Sequence, residues 1–84
     1  MAEQPRDAAS LVKLIVDSLV DEPDQVEVRT TEDDGSLLIE INVAPSDISK
    51  IIGRNGRVIK AIRTLTRAAA TVDGPDQVDV EIIS

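Results

Sequence analysis

The chain contains 84 residues, enough for one domain with a hydrophobic core of its own. It has no aromatic residue, no cysteine and no histidine. Valine, isoleucine and leucine must therefore form the core, and a disulfide framework, thiolate chemistry and histidine-based catalysis or metal binding are excluded. The net charge of −7, taken alone, argues against a protein that binds nucleic acid.

The N-terminal region predicts a short frayed start followed by a helix. Residues 1–6 lack the basic region and apolar stretch of a secretory signal, and no apolar run of the chain approaches the length of a membrane span. We therefore expect a soluble, cytoplasmic protein. From Asp7, the expected N-cap, apolar positions recur with a helical period: Ala8, Leu11, Val12, Ile15, Val16 and Leu19. Pro23 ends this helix soon after Glu22.

Two strands joined by a tight turn are predicted next. Val26, Val28 and Thr30 alternate with polar neighbours and predict a first strand. A second strand follows, and its inward face carries Leu37, Ile39, Ile41 and Val43. The connection reads Glu32-Asp33-Asp34-Gly35, in which Asp-Gly is a strong hairpin signal. A turn thus explains this dense carboxylate cluster better than acid–base catalysis or a Ca²⁺ site does.

The second half of the chain predicts two helices around a pair of glycines. Pro45, Ser46 and Asp47 start a short helix, with Ser46 as the expected N-cap and the isoleucines Ile48, Ile51 and Ile52 on its buried side. A longer helix is predicted from about Arg57 to Thr71. Its apolar side is formed by Val58, Ile62, Leu65 and Ala69, with Ile59 at the edge.

A final strand completes the order of elements. The segment Asp73-Gly74-Pro75 ends the long helix, and Val78, Val80 and Ile82 alternate with polar residues after it. The order is therefore α-β-β-α-α-β. A helical crossover joins the second and third strands, so they should be parallel, whereas the first two form an antiparallel hairpin. This predicts an α+β fold with a mixed three-stranded sheet covered on one face by three helices.

The charges are distributed unevenly along the chain. Residues 48–72 contain six basic residues and no acidic one, so this segment carries +6 while the remainder carries −13. The basic residues are Lys50, Arg54, Arg57, Lys60, Arg63 and Arg67. A positive segment on a negative background predicts a one-sided electric field, centred on the glycine pair. For predicting the type of binding partner, the local positive charge of this segment matters more than the net charge of the whole chain.

The sequence from 51 to 62 reads Ile-Ile-Gly-x-x-Gly-x-x-Ile-Lys-x-Ile, with the glycines at Gly53 and Gly56. Gly53 can adopt positive φ and end the short helix, and neither glycine has a Cβ that would keep a phosphate at a distance. Gly56 is expected to open the next helix, whose free N–H groups and positive dipole end point at the loop. The pattern resembles the signature of the KH domain, and the order of elements resembles the type II form of that domain. The resemblance covers about residues 8–83, so residues 1–84 are interpreted as a single KH domain.

In the KH family the loop clamps the backbone of about four nucleotides of single-stranded nucleic acid. The resemblance therefore implies that Gly53, Arg54, Asn55 and Gly56 bind RNA. Arg54 can reach a phosphate, and Asn55 either hydrogen-bonds the RNA or caps the following helix. Three further basic residues are expected to extend the phosphate track: Lys50, Arg57 and Lys60. For Arg63 and Arg67, one and two turns further along the helix, we expect a solvated helix face.

Size, element order and motif together resemble the small bacterial single-KH proteins called KhpA. This resemblance implies a non-enzymatic protein without cofactor or metal, which binds single-stranded RNA as an RNA chaperone or post-transcriptional regulator. It also implies a homodimer, or a heterodimer with a larger KhpB/Jag/EloR-like protein. In Gram-positive bacteria that complex is linked to cell shape and cell wall biogenesis.

Two other classes of function remain open at this stage. The first is a protein-interaction module that keeps the KH shape and binds RNA weakly or not at all. The acidic total and the lack of aromatic residues favour it, because base–aromatic stacking, worth about 1–3 kcal/mol per base, is absent. The second is an enzyme. The sequence has no Walker or dinucleotide-binding pattern, so this class is disfavoured.

Overall fold

The computed structural model describes residues 8–70 and 77–83. Three α-helices and three strands follow one another in the predicted order: α1 (Ala8–Leu19), β1 (Glu27–Asp33), β2 (Ser36–Asn42), α2 (Ile48–Ile52), α3 (Arg57–Ala70) and β3 (Gln77–Ile83). Single 3₁₀ turns occupy Pro23–Gln25, Pro45–Asp47 and Arg54–Gly56. The expected N-cap Asp7, residues 1–6 and the segment 73–75 lie outside the described residues.

The strands form one mixed sheet in the order β1-β2-β3. β1 pairs with β2 in antiparallel register, with Val28 opposite Ile41, and β2 pairs with β3 in parallel register, with Ile39 opposite Val80. Asp34 and Gly35 form the hairpin turn with φ of 51° and 82°, the two positive values that a type I′ turn requires. The predicted sheet topology and turn are therefore confirmed.

The core lies between one face of the sheet and the helices. Alternate residues of β2 and β3 point inward, and the fully buried side chains include Ile39, Ile41, Ile51, Ile62, Val12 and Val16. Each buried valine or isoleucine contributes about 1.5–3 kcal/mol, so a core without aromatic residues suffices for a domain of this size. The α+β class with three helices over one face of a three-stranded sheet is confirmed. None of the helices within the described residues is long and apolar enough to cross a membrane.

The buried side of α3 differs from the predicted one. It consists of Ile59, Ile62, Thr66 and Ala70, whereas Leu65 is 52% exposed. The fully buried Thr66 hydroxyl donates to the Ile62 carbonyl at 2.6 Å, so its burial leaves no unpaired polar group. The helix packs against α1 and against β3. Contacts with these two elements determine which side of α3 is buried. The apolar residues of α3 are spread over a wide arc of the helix, and the sequence did not show which part of that arc the two elements cover.

The start of α2 also corrects the sequence analysis. Asp47, rather than Ser46, occupies the N-cap position, and its carboxylate accepts no capping hydrogen bond from the first turn of the helix. The Asp47 oxygens accept the backbone N–H groups of Asp21 and Glu22, each at 3.1 Å. This fully buried carboxylate therefore fastens the α1–β1 connection to α2. The predicted buried side of α2 holds for Ile51, but Ile52 is 38% exposed.

The environment of Asp47 favours its charged form. Burial by itself raises the pKa of the carboxyl, but the N–H of Asp21, the Lys50 ammonium and the N–H of Glu22 together outweigh burial and hold the pKa below its ordinary value. A depressed carboxyl pKa adds stability above that ordinary value, and the contribution is lost as the pH falls through the folded-state pKa. The link between α1 and α2 is therefore expected to weaken only in acid.

Candidate nucleic-acid interface

The loop between α2 and α3 is built from left-handed backbone conformations. Gly53 ends α2 with φ of 75° and ψ of 174°, and its N–H donates to the Ser49 carbonyl at 2.9 Å. A single 3₁₀ turn follows, in which Asn55 has φ of 58° and Gly56 has φ of 74°. Glycine has no steric penalty at positive φ, and asparagine tolerates it better than most residues. The three positions of the loop with positive φ are therefore occupied by residue types that tolerate it: Gly53, Asn55 and Gly56.

Gly53 also meets a packing demand that the sequence did not reveal. A Cβ placed on this residue would lie 2.8 Å from both the Cβ and the backbone nitrogen of Val58, and still closer to Val58 Cγ2. A Cβ on Gly56 would meet only Ile59 Cγ2, at 3.9 Å. Gly53 therefore lets the first turn of α3 fold back against the end of α2, whereas Gly56 borders open space.

The tip of the loop is open to solvent. Arg54 and Asn55 are exposed, and neither side chain forms a hydrogen bond or ion pair with another described residue. The Asn55 side chain therefore does not cap α3 through any contact the described chain shows. The backbone N–H groups of Arg54 and Asn55 also donate to no backbone carbonyl within residues 8–70 and 77–83. The tip presents a cation, a side-chain amide and two backbone donors.

The first turns of α3 extend this basic surface. Arg57 and Lys60 are exposed, and so is Arg67 near the end of the helix. At 3.6 residues per turn, these three residues and Arg63 share an arc of about 120° on the helix. Arg67 thus lies on the solvated helix face that the sequence predicted. Arg57 and Lys60 lie in the first turn of α3, directly after the glycine loop, and their expected contact with RNA remains a prediction.

Lys50 lies in a different environment from the other basic residues. Its ammonium contacts Asp21 Oδ2 at 2.9 Å and Asp47 Oδ1 at 3.1 Å. Hydrogen bonds to Asp21 and to Asp47 raise the pKa of the Lys50 amino group, even though partial burial opposes the rise. Lys50 therefore joins α2 to the segment after α1. Its two carboxylate partners offset its charge toward any phosphate.

Arg63 is not part of a freely solvated helix face, so the expectation for this residue is wrong. Its side chain is half-buried, and its Nε donates to the Val80 carbonyl of β3 at 3.2 Å. The interaction connects α3 to the edge of the sheet. No local sequence signal indicates it, because it depends on which strand follows α3 in space.

The face of the sheet away from the helices has the opposite charge. Residues that alternate with the buried ones lie on this outer face, and five of them are acidic: Glu27, Asp33, Glu40, Asp79 and Glu81. Arg29, on the same face, pairs with Glu27 at 3.0 Å. The described part of the chain shows no group of three side chains placed to hold a metal ion. The domain thus has a basic loop-and-helix surface and an acidic outer sheet face.

Comparisons with known proteins agree with this architecture. A family model for the KH domain of KhpA/KhpB matches residues 9–82. The protein called RNA-binding protein KhpA of Caldanaerobacter subterraneus is 51% identical over 73 residues, which cover 87% of this chain and 96% of that protein. Proteins of the same name from Clostridium acetobutylicum and Chlamydia trachomatis are 47% and 44% identical, over 87% and 82% of this chain and 96% and 87% of theirs.

Solved structures of Era share the fold at lower identity. Aquifex aeolicus Era bound to GDP and aluminium fluoride superposes with a TM-score of 0.60 and 23% identity, over 98% of this chain and 33% of Era. Era bound to MgGDPNP and nucleotides 1506–1542 of 16S ribosomal RNA gives 0.62 and 22%, over 96% of this chain and 32% of Era. This chain therefore spans about a third of Era, and the likeness concerns the fold alone. The family match over residues 9–82 and the identity to KhpA proteins over most of both lengths show that the chain belongs to the KhpA/KhpB family of KH domains.

Proposed function

We propose that this protein binds single-stranded RNA and that the loop Gly53–Gly56 clamps the RNA backbone. The observation that carries the proposal is the exposed, left-handed loop at the centre of a segment with charge +6. The relatives named RNA-binding protein KhpA support it. A role as an RNA chaperone or post-transcriptional regulator in the bacterial cytoplasm, without catalysis, accords with these relatives.

The loop supplies groups that suit a phosphate. Successive backbone N–H groups in a helical and then left-handed conformation form a concavity that binds anions, and Arg54 and Asn55 offer such a pair. The Arg54 guanidinium adds a charged donor, and the Asn55 amide can reach a phosphate or a base edge. The N-terminus of α3, which begins at Arg57, adds the positive end of a helix dipole.

Arg57 and Lys60 extend the phosphate track in this proposal, and Lys50 contributes least. The first two are exposed and form no ion pair with a described carboxylate, so they can bind phosphates without losing another contact. Lys50 would have to leave Asp21 or Asp47 to contact RNA closely.

Salt dependence tests the proposed clamp. With about two to four phosphate contacts per domain, log K should fall against log salt with a slope of roughly −1.5 to −3, at about −0.7 per contact for single strands. The acidic remainder of the chain repels RNA at low salt, and this makes the slope shallower. Fluorescence anisotropy with labelled single-stranded and duplex RNA measures both the salt dependence of the affinity and the preference for single strands over duplex. A flat response, or stronger binding to duplex, would contradict the clamp.

A protein-interaction module is the second candidate function, and two observations favour it. The outer face of the sheet is acidic, and large apolar side chains are exposed on the helices, with Leu14 54% and Leu65 52% exposed. In this alternative the KH shape serves contacts with proteins, and RNA affinity is weak. RNA affinity measured for the protein alone, and then with a KhpB/Jag/EloR-like partner, distinguishes the two functions.

We also infer that the protein forms homodimers and can pair with a larger KH protein. Leu65 lies on α3 next to exposed Ala61, so the helix offers an apolar strip that a second copy can cover. Light scattering or sedimentation at micromolar concentration should show a dimer, and Leu65→Glu should shift it to monomer without loss of helical circular dichroism. Dimerisation raises RNA affinity through effective concentration. A wild-type protein that stays monomeric alone and with the larger KH protein would contradict the inference.

A further inference from the structure

The Arg63 side chain extends from α3 to β3, an edge strand of the sheet, and so crosses the gap between these two elements. The N–H and C=O of one strand residue point to the same side, and β3 pairs with β2 on one side only. The Val80 carbonyl accepts Arg63 Nε, so this contact lies on the side of β3 away from β2. A guanidinium has five N–H donors, and its Nε–H uses one of them here. The four N–H groups on its two Nη atoms form no hydrogen bond or ion pair with another described residue.

The position of Arg63 relative to the loop is fixed by the helix. It follows Gly56 by seven residues, which places it about 10 Å further along the helix axis. Lys60 and Arg67, three residues before and four after, are its neighbours on the helix surface. The described chain shows no ion pair between the Arg63 guanidinium and a carboxylate. The basic surface that starts at the loop therefore includes a half-buried, anchored arginine between the exposed Lys60 and Arg67.

The charges on the two sides of this gap orient a bound strand. α3 contributes exposed cations, whereas β3 exposes Asp79 and Glu81. A sugar–phosphate backbone is attracted to the first and repelled by the second. If the loop clamps a strand as proposed, these charges would place its phosphates along α3 and turn its bases toward the gap between α3 and β3. Arg63 lies in that gap.

We propose that Arg63 selects a guanine in the bound RNA, through two N–H···acceptor contacts from its Nη atoms to O6 and N7. The planar fork of arginine matches these two acceptors, and an adenine offers N7 but no acceptor at the sixth position. Anchoring by Val80 holds the fork in place before the base arrives, which lowers the entropy lost on binding. Because the chain has no aromatic side chain on which bases could stack, hydrogen bonding of this kind becomes the main source of base preference. This inference rests on the proposed single-stranded RNA binding.

A set of modified RNAs tests the inference on the wild-type protein. Uridine octamers carry one purine at each position in turn: guanosine, inosine, 7-deazaguanosine or adenosine. Inosine keeps both acceptors, 7-deazaguanosine lacks N7, and adenosine lacks O6. At the best position, guanosine and inosine should bind equally. The other two should bind about 5- to 100-fold more weakly, the range expected for one bidentate base contact.

Substitutions of two arginines on α3, Arg63 and Arg67, distinguish base selection from general electrostatic attraction to RNA. Arg63→Lys keeps the charge without the planar fork, and Arg63→Gln removes both. Either change should bring the affinity ratio of guanosine to 7-deazaguanosine RNA close to one. Arg67→Gln, which removes an exposed charge one turn away, should weaken binding to all four RNAs alike and leave the ratio unchanged. Circular dichroism melts establish that each variant is folded at the assay temperature.

The outcomes distinguish this inference from the proposed function. A wild-type protein that binds none of the octamers overturns the proposed function and the role of Arg63 with it. Wild-type binding that is indifferent to N7 and O6 overturns only the role of Arg63, and so does a ratio that survives in Arg63→Lys. If Arg63→Gln does not fold, Arg63→Lys and the wild-type measurements with the four RNAs still test the role of Arg63.

Discussion

A double substitution at the loop tip, Arg54→Asp with Asn55→Asp, should lower the affinity for single-stranded RNA by at least about tenfold. One charge-assisted hydrogen bond to a phosphate contributes about 1.5–3 kcal/mol, and the change removes such a donor. It also places two carboxylates where phosphates approach. Both residues are exposed and neither side chain contacts another described residue through a hydrogen bond or ion pair. Surface changes of this kind usually alter stability by within about 0.5 kcal/mol. Fluorescence anisotropy and a thermal melt measure the two effects.

A matched control changes the net charge equally on the other side of the domain. Arg29→Glu with Gln77→Glu adds the same negative charge to the outer face of the sheet, where both side chains are exposed. The control should lower RNA affinity only slightly, because salt screens charges that lie beyond about 10 Å. Equal losses in the two variants would mean that net charge, rather than the loop, governs binding. A loop variant that binds as tightly as wild type would remove the loop from the interface.

The element order and the sheet topology could be predicted because their signals are local and strong. Asp34-Gly35 has the two positive φ values that the sequence signal requires, and alternating apolar residues in β2 and β3 are buried as a period of two demands. The parallel pairing of β2 and β3 followed from the helical crossover alone. These features depend on short stretches of chain, which a single sequence displays in full.

Features that depend on distant partners could not be predicted. The pattern of α3 predicted that Leu65 faces the core, whereas in the structure Thr66 is buried and Leu65 is exposed. Contacts of α3 with α1 and β3 account for the difference. Asp47 binds backbone groups of residues 21 and 22, and Lys50 pairs with Asp21, so each contact joins residues that are far apart in sequence. Arg63 reaches Val80 on a strand that follows in sequence only after the helix has ended. In each case the polar residue was visible in the sequence, but its partner was not.

The candidate site likewise combines features that could be predicted from the sequence with features that depend on distant contacts. The glycine spacing and the basic residues predict that RNA binds at the loop and its flanks, and this remains a prediction. No sequence signal indicated that the absence of a Cβ at Gly53 is also needed for packing against Val58. Nor did any signal indicate that two of the six basic residues, Lys50 and Arg63, are held by contacts within the domain. The cations without a partner inside the described domain are therefore Arg54, Arg57, Lys60 and Arg67, which narrows the surface proposed to bind RNA.

Gly53→Ala should destabilise the domain strongly, by roughly 2–5 kcal/mol. At φ of 75° and ψ of 174°, Gly53 occupies a region of backbone space that is essentially reserved for glycine, and forcing another residue into such a region costs about 1–3 kcal/mol. The added Cβ would also collide with the side chain and backbone nitrogen of Val58, and overpacking of this kind costs typically about 1–3 kcal/mol. At about 4–8 °C per kcal/mol for a domain of this size, the melting temperature should fall by at least about 8 °C.

Gly56→Ala is the matched control for that substitution. Gly56 also has positive φ, 74°, but its added Cβ would meet only Ile59 Cγ2 at 3.9 Å, an ordinary van der Waals distance. The control should therefore show only the cost of left-handed backbone, about 1–2 kcal/mol for a residue with a Cβ. Thermal melts followed by circular dichroism compare the two variants. If both lose the same stability, the contact with Val58 does not constrain the loop, and the two glycines serve the backbone turn alone.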